Sequence, residues 1–230
     1  MEKIILILII LIPLKSFSNE IRTNSITFIN PPSWLKRVHI DKVRDRIQSK
    51  LEWTIRRIEV EYHSNQNQFE KVHSLGKTPS AVTVKTSKIQ KIHLGPQVTF
   101  KNFDQIFAHE LVHVIFAQKY QGSIPRWLEE GFANHLSQKK AVNYLWLSKQ
   151  NIPKDVTTLE HPFKNSSVGI HLHYTISQAL VEMLKKKCDL ENLIRLSVER
   201  KIEDYIKSYC NITDINKEFK KWIKDKATKN

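Results

Sequence analysis

Two long stretches of the chain repeat their apolar residues at intervals of three and four. The first runs from Ile40 to about Ile58, with charged residues between the apolar positions. The second covers residues 98–122 and ends at Gly122. Its apolar positions are Phe103, Ile106, Phe107, Leu111, Val114 and Ile115. A helix that packs one face on a core has this period of about 3.6 residues, so both stretches are predicted to be helices.

Between these stretches, apolar and polar residues alternate, which is the period of a β-strand. Residues 56–64 form one alternating run. Ala81–Lys85 and Ile89–Leu94 form two more, with a short connection between them. Residues 65–76 have the pattern of a short helix that ends in glycine. We therefore predict a strand, a short helix and a hairpin ahead of the second long helix.

The second half of the chain is predicted to be helical. Pro125 stands where a helix can begin, because the first turn does not need the N–H that proline lacks. Residues 151–169 are rich in turn formers and predict a loop. Amphipathic runs follow at residues 174–187, 190–200 and 215–225. The whole pattern predicts an α+β fold, mostly helical, with a small N-terminal mixed sheet packed on the helix of residues 98–122.

The first residues have the parts of a secretory signal peptide. Lys3 supplies the positive start, Ile4–Ile12 the apolar run, and Ser16-Phe17-Ser18 a cleavage site, so residues 1–18 are predicted to be removed. The apolar run is shorter than the roughly 20 residues that a membrane-spanning helix needs. We therefore expect export to the periplasm or the extracellular space, with no transmembrane anchor after cleavage.

The rest of the chain is predicted to hold one domain. Residues 19–38, with Pro31-Pro32, are interpreted as an N-terminal strap or linker, and residues 39–230 as a single domain. Cys188 and Cys210 can pair in an exported protein, but two buried thiols fit the sequence as well. The sequence does not indicate an oligomeric state.

The chain is strongly basic, with a formal net charge of +14. A lysine-rich solvated surface explains this charge, and attraction to an anionic envelope surface is the functional alternative. Nucleic acid is not expected as a partner, because the sequence has no basic stripe with interleaved aromatic residues and no known nucleic-acid motif.

A short motif, HELVH at residues 109–113, lies inside the second apolar helix. His109 and His113 lie about 40° apart around a helix and about 6 Å apart along it, so their rings can converge. Imidazoles suit Zn²⁺, and a catalytic zinc commonly has three protein ligands and a water. Glu110 projects towards that water and is predicted to be its general base.

The motif is short enough to occur by chance, so a pair of partly exposed histidines beside a solvated glutamate is the alternative. Its context favours a site, because the surrounding helix is apolar and a hairpin precedes it. A third ligand is offered by the next helix, where Glu129 and Glu130 both fit on spacing alone. Apolar residues flank this pair, and a carboxylate that faces them needs a partner.

These residues resemble the gluzincin metallopeptidases, in particular the peptidase MA-like family with a thermolysin-type catalytic domain. The family pattern His-Glu-Leu-x-His, then Pro-x-Trp-Leu-x-Glu-Gly-x-Ala, is matched by HELVH at residues 109–113 and PRWLEEGFA at 125–133. The resemblance covers roughly residues 57–195. It implies that Glu130, directly before Gly131, is the third zinc ligand. It also implies that the last strand of the hairpin lines the cleft and holds an extended peptide.

The resemblance also implies a tyrosine or histidine that stabilises the oxyanion. Tyr174 is the candidate by position, with His171 and His173 as alternatives. A tyrosine at the start of an amphipathic helix is also a common packing residue. Asn134, one turn after Glu130, is the candidate for the residue that orients a histidine ligand.

The sequence as a whole predicts an exported zinc-dependent peptidase with a peptide or protein substrate. His109, His113 and Glu130 are expected to bind Zn²⁺, and Glu110 to take a proton from the attacking water and pass it to the leaving amine. One alternative is a catalytically silent, zinc-stabilised protein that binds peptides or the envelope. The other is a basic envelope-binding module in which the motif is accidental.

Overall fold

The structure is a computed structural model. It describes residues 19–51, 56–76, 78–85, 90–120, 122–137, 140–164, 168–197 and 201–228. The predicted signal peptide at residues 1–18 lies outside the described residues, so its removal stays a prediction. In the described ranges, no helix has both the length and the apolar character needed to cross a membrane.

Five strands of the described residues form one mixed sheet near the N-terminus. They are β1 (Glu20–Arg22), β2 (Ile26–Ile29), β3 (Ile58–Tyr62), β4 (Ala81–Lys85) and β5 (Gln90–Leu94). Their order across the sheet is β1-β2-β3-β5-β4, with β3 parallel to both of its neighbours and β1 and β4 antiparallel at the edges. The predicted strand and hairpin are confirmed. Residues 19–38, expected as a strap or linker, supply β1 and β2.

The sheet has one apolar face because its strands alternate apolar and polar residues. The central strands place fully buried side chains on that face, namely Ile26, Phe28, Ile58, Val60, Ile92 and Leu94. In β3 and β5, the polar residues Glu59, Glu61, Lys91 and His93 alternate with them and lie on the opposite face.

The helices follow the predicted order. They are α1 (Arg37–Leu51), α2 (Gln66–Glu70), α3 (Phe103–Tyr120), α4 (Arg126–Leu136), α5 (Tyr144–Leu147), α6 (Ile170–Lys187), α7 (Leu190–Leu196), α8 (Ile202–Tyr209) and α9 (Ile215–Ala227). A 3₁₀ turn at Val156–Thr158 interrupts the predicted loop. The fold is α+β with a helical C-terminal half, as predicted.

The first helix is shorter than its apolar period suggested. The described part of this helix ends at Leu51. Ile58, which was expected near the end of the helix, is the first residue of β3. Ile58 is paired with Ile26 of the neighbouring strand β2. Ile58 and Val60 lie two residues apart on β3, so both side chains point to the same face, and both are buried. Strand pairing therefore overrides the helical spacing at this point. The short helices α5 and α8 were not predicted.

Helix α3 is the centre of the molecule. It contacts α1, β4, β5 and α4, which explains why residues from Phe103 to Phe116 are mostly buried. The chain turns after α3 at Gly122, whose φ of 88° lies in the left-handed region that favours glycine. Pro125 then precedes α4, which packs between α3 and α6.

Cys188, at the end of α6, forms a disulfide with Cys210, at the end of α8. The bond joins residues that are 22 positions apart. On the chain-entropy estimate, closing a loop of that size stabilises the fold by about 3 kcal/mol. The disulfide holds α7 and α8 against the end of α6.

Candidate metal centre

His109, His113 and Glu130 converge on one point, and these three residues could hold a metal ion. The two Nε2 atoms of the histidines lie 3.2 Å apart. Glu130 Oε2 lies 3.5 Å from each of them. Ligand atoms of a tetrahedral zinc ion, bound at about 2.0–2.1 Å, are separated by about 3.3 Å. These three residues, which we call the cleft group, therefore fit a tetrahedral metal ion.

The helix geometry explains this convergence. His109 and His113 are one turn apart on α3, and Glu130 reaches them from α4, which the turn at Gly122 brings back across α3. Glu130 is 1% exposed. Its Oε2 atom accepts no hydrogen bond from the described residues. Burial of a carboxylate oxygen in this way is costly, and a bound cation would remove the cost.

Glu129, the other carboxylate that fits by spacing, does not belong to the cleft group and lies behind His113. Its Oε1 atom lies 2.7 Å from His113 Nδ1, on the side of the ring away from the cleft group. Arg126 Nη1 lies 3.0 Å from Glu129 Oε2, so the carboxylate is held from both sides. A carboxylate in this position fixes the orientation of a histidine ligand.

The residue that orients His113 is Glu129 and not Asn134, which the sequence had offered for this role. Asn134 donates a hydrogen bond from Nδ2 to the backbone oxygen of Tyr174, at 3.3 Å. It therefore contacts α6 and also lines the cleft, whereas Glu129 faces α3. Sequence spacing placed both residues near the cleft group but could not tell which side of α4 meets which helix.

The charges around the cleft group favour a cation. Burial alone would lower the pKa of His113, but the carboxylates of Glu130 and Glu129 raise it to about 9. Burial would raise the pKa of Glu130, but His113, His109 and Arg126 hold it well below its usual range. Glu130 is therefore ionised at neutral pH, and His113 carries a proton that a metal ion would have to displace.

Glu110 lies beside the cleft group and is 8% exposed. The hydroxyl of Thr83, in β4, donates a hydrogen bond to Glu110 Oε2 at 2.7 Å. This bond fixes the carboxylate of the predicted general base against the sheet. Thr83 was not singled out from the sequence, because only the packing of β4 on α3 brings the two residues together.

The cleft group opens into a cleft of about 320 Å³. One wall is β4 with the residues just before it, from Thr78 to Thr83, and Tyr174, His161 and Phe163 contribute on other sides. The prediction that the last hairpin strand lines the cleft was wrong. That strand, β5, pairs with both β3 and β4 and so lies inside the sheet, which leaves β4 at the edge.

Tyr174 lies in the cleft, and its ring centre is 5.9 Å from that of His109. Burial, with the nearby Glu130 and Glu110 carboxylates, raises the pKa of Tyr174, so the hydroxyl stays protonated at neutral pH. The two alternatives lie elsewhere. His171 is exposed and packs against Trp146, and His173 is fully buried within α6.

His161 is a cleft residue that sequence reasoning missed. Burial and the neighbouring Arg126 lower the pKa of His161 to about 4, so its ring is neutral at pH 7. It lies in the loop of residues 151–169, where no apolar period marks the side that faces the protein. The sequence therefore held no signal for its position.

Comparison with known proteins does not assign a family. No protein-family model, curated protein or solved structure matches the chain. The likeness of its two motifs to gluzincin metallopeptidases therefore stays a prediction from those residues.

Proposed function

We propose that the protein is a zinc-dependent peptidase of the gluzincin type. The observation that carries this proposal is the meeting, in one cleft, of two imidazole nitrogens and a carboxylate oxygen at tetrahedral spacing, with a second carboxylate beside them. Two nitrogens and one oxygen suit Zn²⁺ better than Mg²⁺ or Ca²⁺, which prefer oxygen ligands. In this proposal, His109, His113 and Glu130 hold the ion.

A zinc ion at this point would supply Lewis acidity, which lowers the pKa of water towards about 7 and polarises a carbonyl. Glu110, oriented by Thr83, takes a proton from the attacking water. The water oxygen bonds to the carbonyl carbon, the C–N bond breaks, and Glu110 gives the proton to the leaving amine. Tyr174 keeps its proton at neutral pH and donates a hydrogen bond to the developing oxyanion.

The substrate class follows from the wall of the cleft. Strand β4 pairs with β5 on one side and is one of the two edge strands of the sheet among the described residues. An extended peptide can add to such an edge through backbone hydrogen bonds, which places a peptide bond near Glu110. We therefore propose a peptide or a flexible protein segment as the substrate.

We also propose that the protein acts after export, in the periplasm or outside the cell. The signal-like residues 1–18 support this location, and the disulfide between Cys188 and Cys210 is consistent with an oxidising compartment. Sequencing of the N-terminus of the exported protein tests it, because cleavage after Ser18 predicts Asn19 as the first residue.

The proposed activity is tested with the chain from Asn19 and a broad library of quenched fluorescent peptides. We expect cleavage that a chelator removes and that Zn²⁺ restores. The Tyr174→Phe variant is expected to keep its zinc and to lose about a hundredfold in kcat. Zinc binding without any cleavage would instead indicate the catalytically silent peptide- or envelope-binding protein and would contradict the proposal.

Glu129→Gln is expected to weaken zinc binding by about ten- to a hundredfold. The amide cannot supply the negative charge that holds the His113 ring in its ligating orientation. The dissociation constant is measured by competition with a zinc chelator. Glu191→Gln is the control, because Glu191 is an exposed residue of α7 that does not line the cleft. Equal affinity in the two variants would contradict the role given to Glu129.

A further inference from the structure

A second group of metal-binding side chains lies on the polar face of the sheet, outside the cleft. It consists of Glu61 in β3, His63 directly after β3, and His93 in β5, and we call it the sheet group. His63 Nε2 lies 2.9 Å from His93 Nδ1. Glu61 Oε2 lies 3.7 Å from His93 Nδ1 and 3.9 Å from His63 Nε2. We propose that the sheet group binds a second divalent transition-metal ion, with Zn²⁺ as its representative.

The strand register brings the three side chains together. β3 and β5 are parallel neighbours, and Glu61 is paired directly with His93. His63 follows Glu61 by two residues and so returns to the same face of the sheet. Its backbone N–H donates to Leu94 O at 2.8 Å, which keeps it beside β5. The backbone therefore fixes the positions of all three residues before any ligand binds.

The spacings suit a shared ion. Two ligand atoms that are each about 2.0–2.1 Å from one ion lie between about 2.9 and 4 Å apart for bond angles from 90° to 150°. All three distances of the sheet group fall in this range. The carboxylate is too far from both nitrogens for a hydrogen bond. In the metal-free protein it is held by Lys91, whose Nζ atom lies 2.8 Å from Glu61 Oε2.

The site is covered by protein. His63 and His93 are 8% and 7% exposed. Phe69 of α2 is fully buried, and its ring centre lies 6.0 Å from that of His63. His73, just after α2, packs on Phe69, and its Nε2 atom is buried with no hydrogen-bond partner among the described residues. This apolar cover limits the access of water to the two imidazoles.

Lys91 is the competitor for the ion. Its Nζ atom lies 2.8 Å from Glu61 Oε2, the same oxygen that faces the two histidines. It also lies 3.7 Å from Glu59 Oε2, the next carboxylate on this face. The ammonium group can therefore move to Glu59 when a metal ion takes Glu61. Removal of its charge is expected to strengthen metal binding, the opposite of what damage to the fold would do.

The test counts zinc ions in the protein from Asn19. Isothermal titration with Zn²⁺ is expected to give two equivalents for the unaltered protein and one for His63→Gln. It is also expected to give one equivalent for the double variant His109→Gln/His113→Gln, which lacks the histidines of the cleft group and keeps the sheet group. Mg²⁺ is expected to give none at the sheet group, because two of its ligand atoms are nitrogens.

Two further variants separate binding from misfolding. In the background without the cleft histidines, Lys91→Met is expected to bind Zn²⁺ about tenfold more tightly. His39→Gln removes a histidine that belongs to neither group, and it is expected to leave zinc binding unchanged. The absence of bound zinc in that background would overturn the proposal. A zinc affinity there that neither His63→Gln nor Lys91→Met changes would also overturn it. Neither outcome depends on whether the cleft cleaves peptides.

Discussion

Replacement of Glu110 by glutamine is expected to abolish peptide cleavage and to leave the cleft zinc in place. The amide can still accept the hydrogen bond from Thr83, so the shape of the cleft is kept. It cannot take a proton from water at neutral pH, so general base catalysis is lost. The expected fall in kcat is about a thousandfold, within the range for loss of a general base.

The measurement combines kcat on a cleaved peptide with the zinc content of the same sample. Glu191→Gln is the control, because it makes the same chemical change on an exposed helix. A Glu110→Gln protein that retains its zinc and cleaves within tenfold of the unaltered rate would remove Glu110 from the proposed mechanism.

Gly131→Ala is expected to destabilise the protein strongly. A Cβ atom at position 131 would lie 2.6 Å from Val181 Cγ2 and closer still to the backbone oxygen of Ser177, both on α6. Neither helix can move aside without disturbing the core, because both are buried at this crossing. Overpacking of this kind typically costs about 1–3 kcal/mol, which lowers the Tm of a chain of this size by several degrees.

Zinc affinity is expected to fall in the same variant, because Glu130 is the neighbour of Gly131 and moves with α4. Gly169→Ala is the matched control. No atom of the described residues lies within 4 Å of a Cβ atom built at Gly169, and its φ of −61° is open to alanine. The Tm values of both variants are measured by thermal unfolding and compared with that of the unaltered protein. Equal Tm values would mean that α4 and α6 are not in the close contact described.

The apolar spacing predicted α3, although its middle turns are buried on all sides. The alternation of apolar and polar residues predicted β3 to β5. β1 and β2 were missed, since they are only three and four residues long. β2 pairs with β3, about thirty residues further along the chain. Such long-range pairing leaves little trace in a short run of residues.

The candidate site was predictable up to the point where two helices meet. The spacing of His109 and His113 on one helix fixes their convergence. Neighbours on a helix differ by about 100° in direction, so the choice between Glu129 and Glu130 depends on how α4 lies on α3. The family resemblance selected Glu130, and the geometry places Glu130 in the cleft group and Glu129 behind His113.

The sheet group could not be predicted for a related reason. His63 and His93 are 30 positions apart. The sequence of neither segment indicates which residue of β3 pairs with which residue of β5. One step of register would move every side chain of a strand to the other face. Only the observed register, with Glu61 opposite His93, brings these side chains together.

Anomalous diffraction at the zinc edge, from crystals grown with Zn²⁺, tests the central claim most directly. The account predicts a zinc peak bonded to His109 Nε2, His113 Nε2 and Glu130 Oε2, at about 2.0–2.2 Å from each. A well-ordered cleft with no anomalous peak among these three atoms would contradict it, even if zinc were bound elsewhere in the molecule.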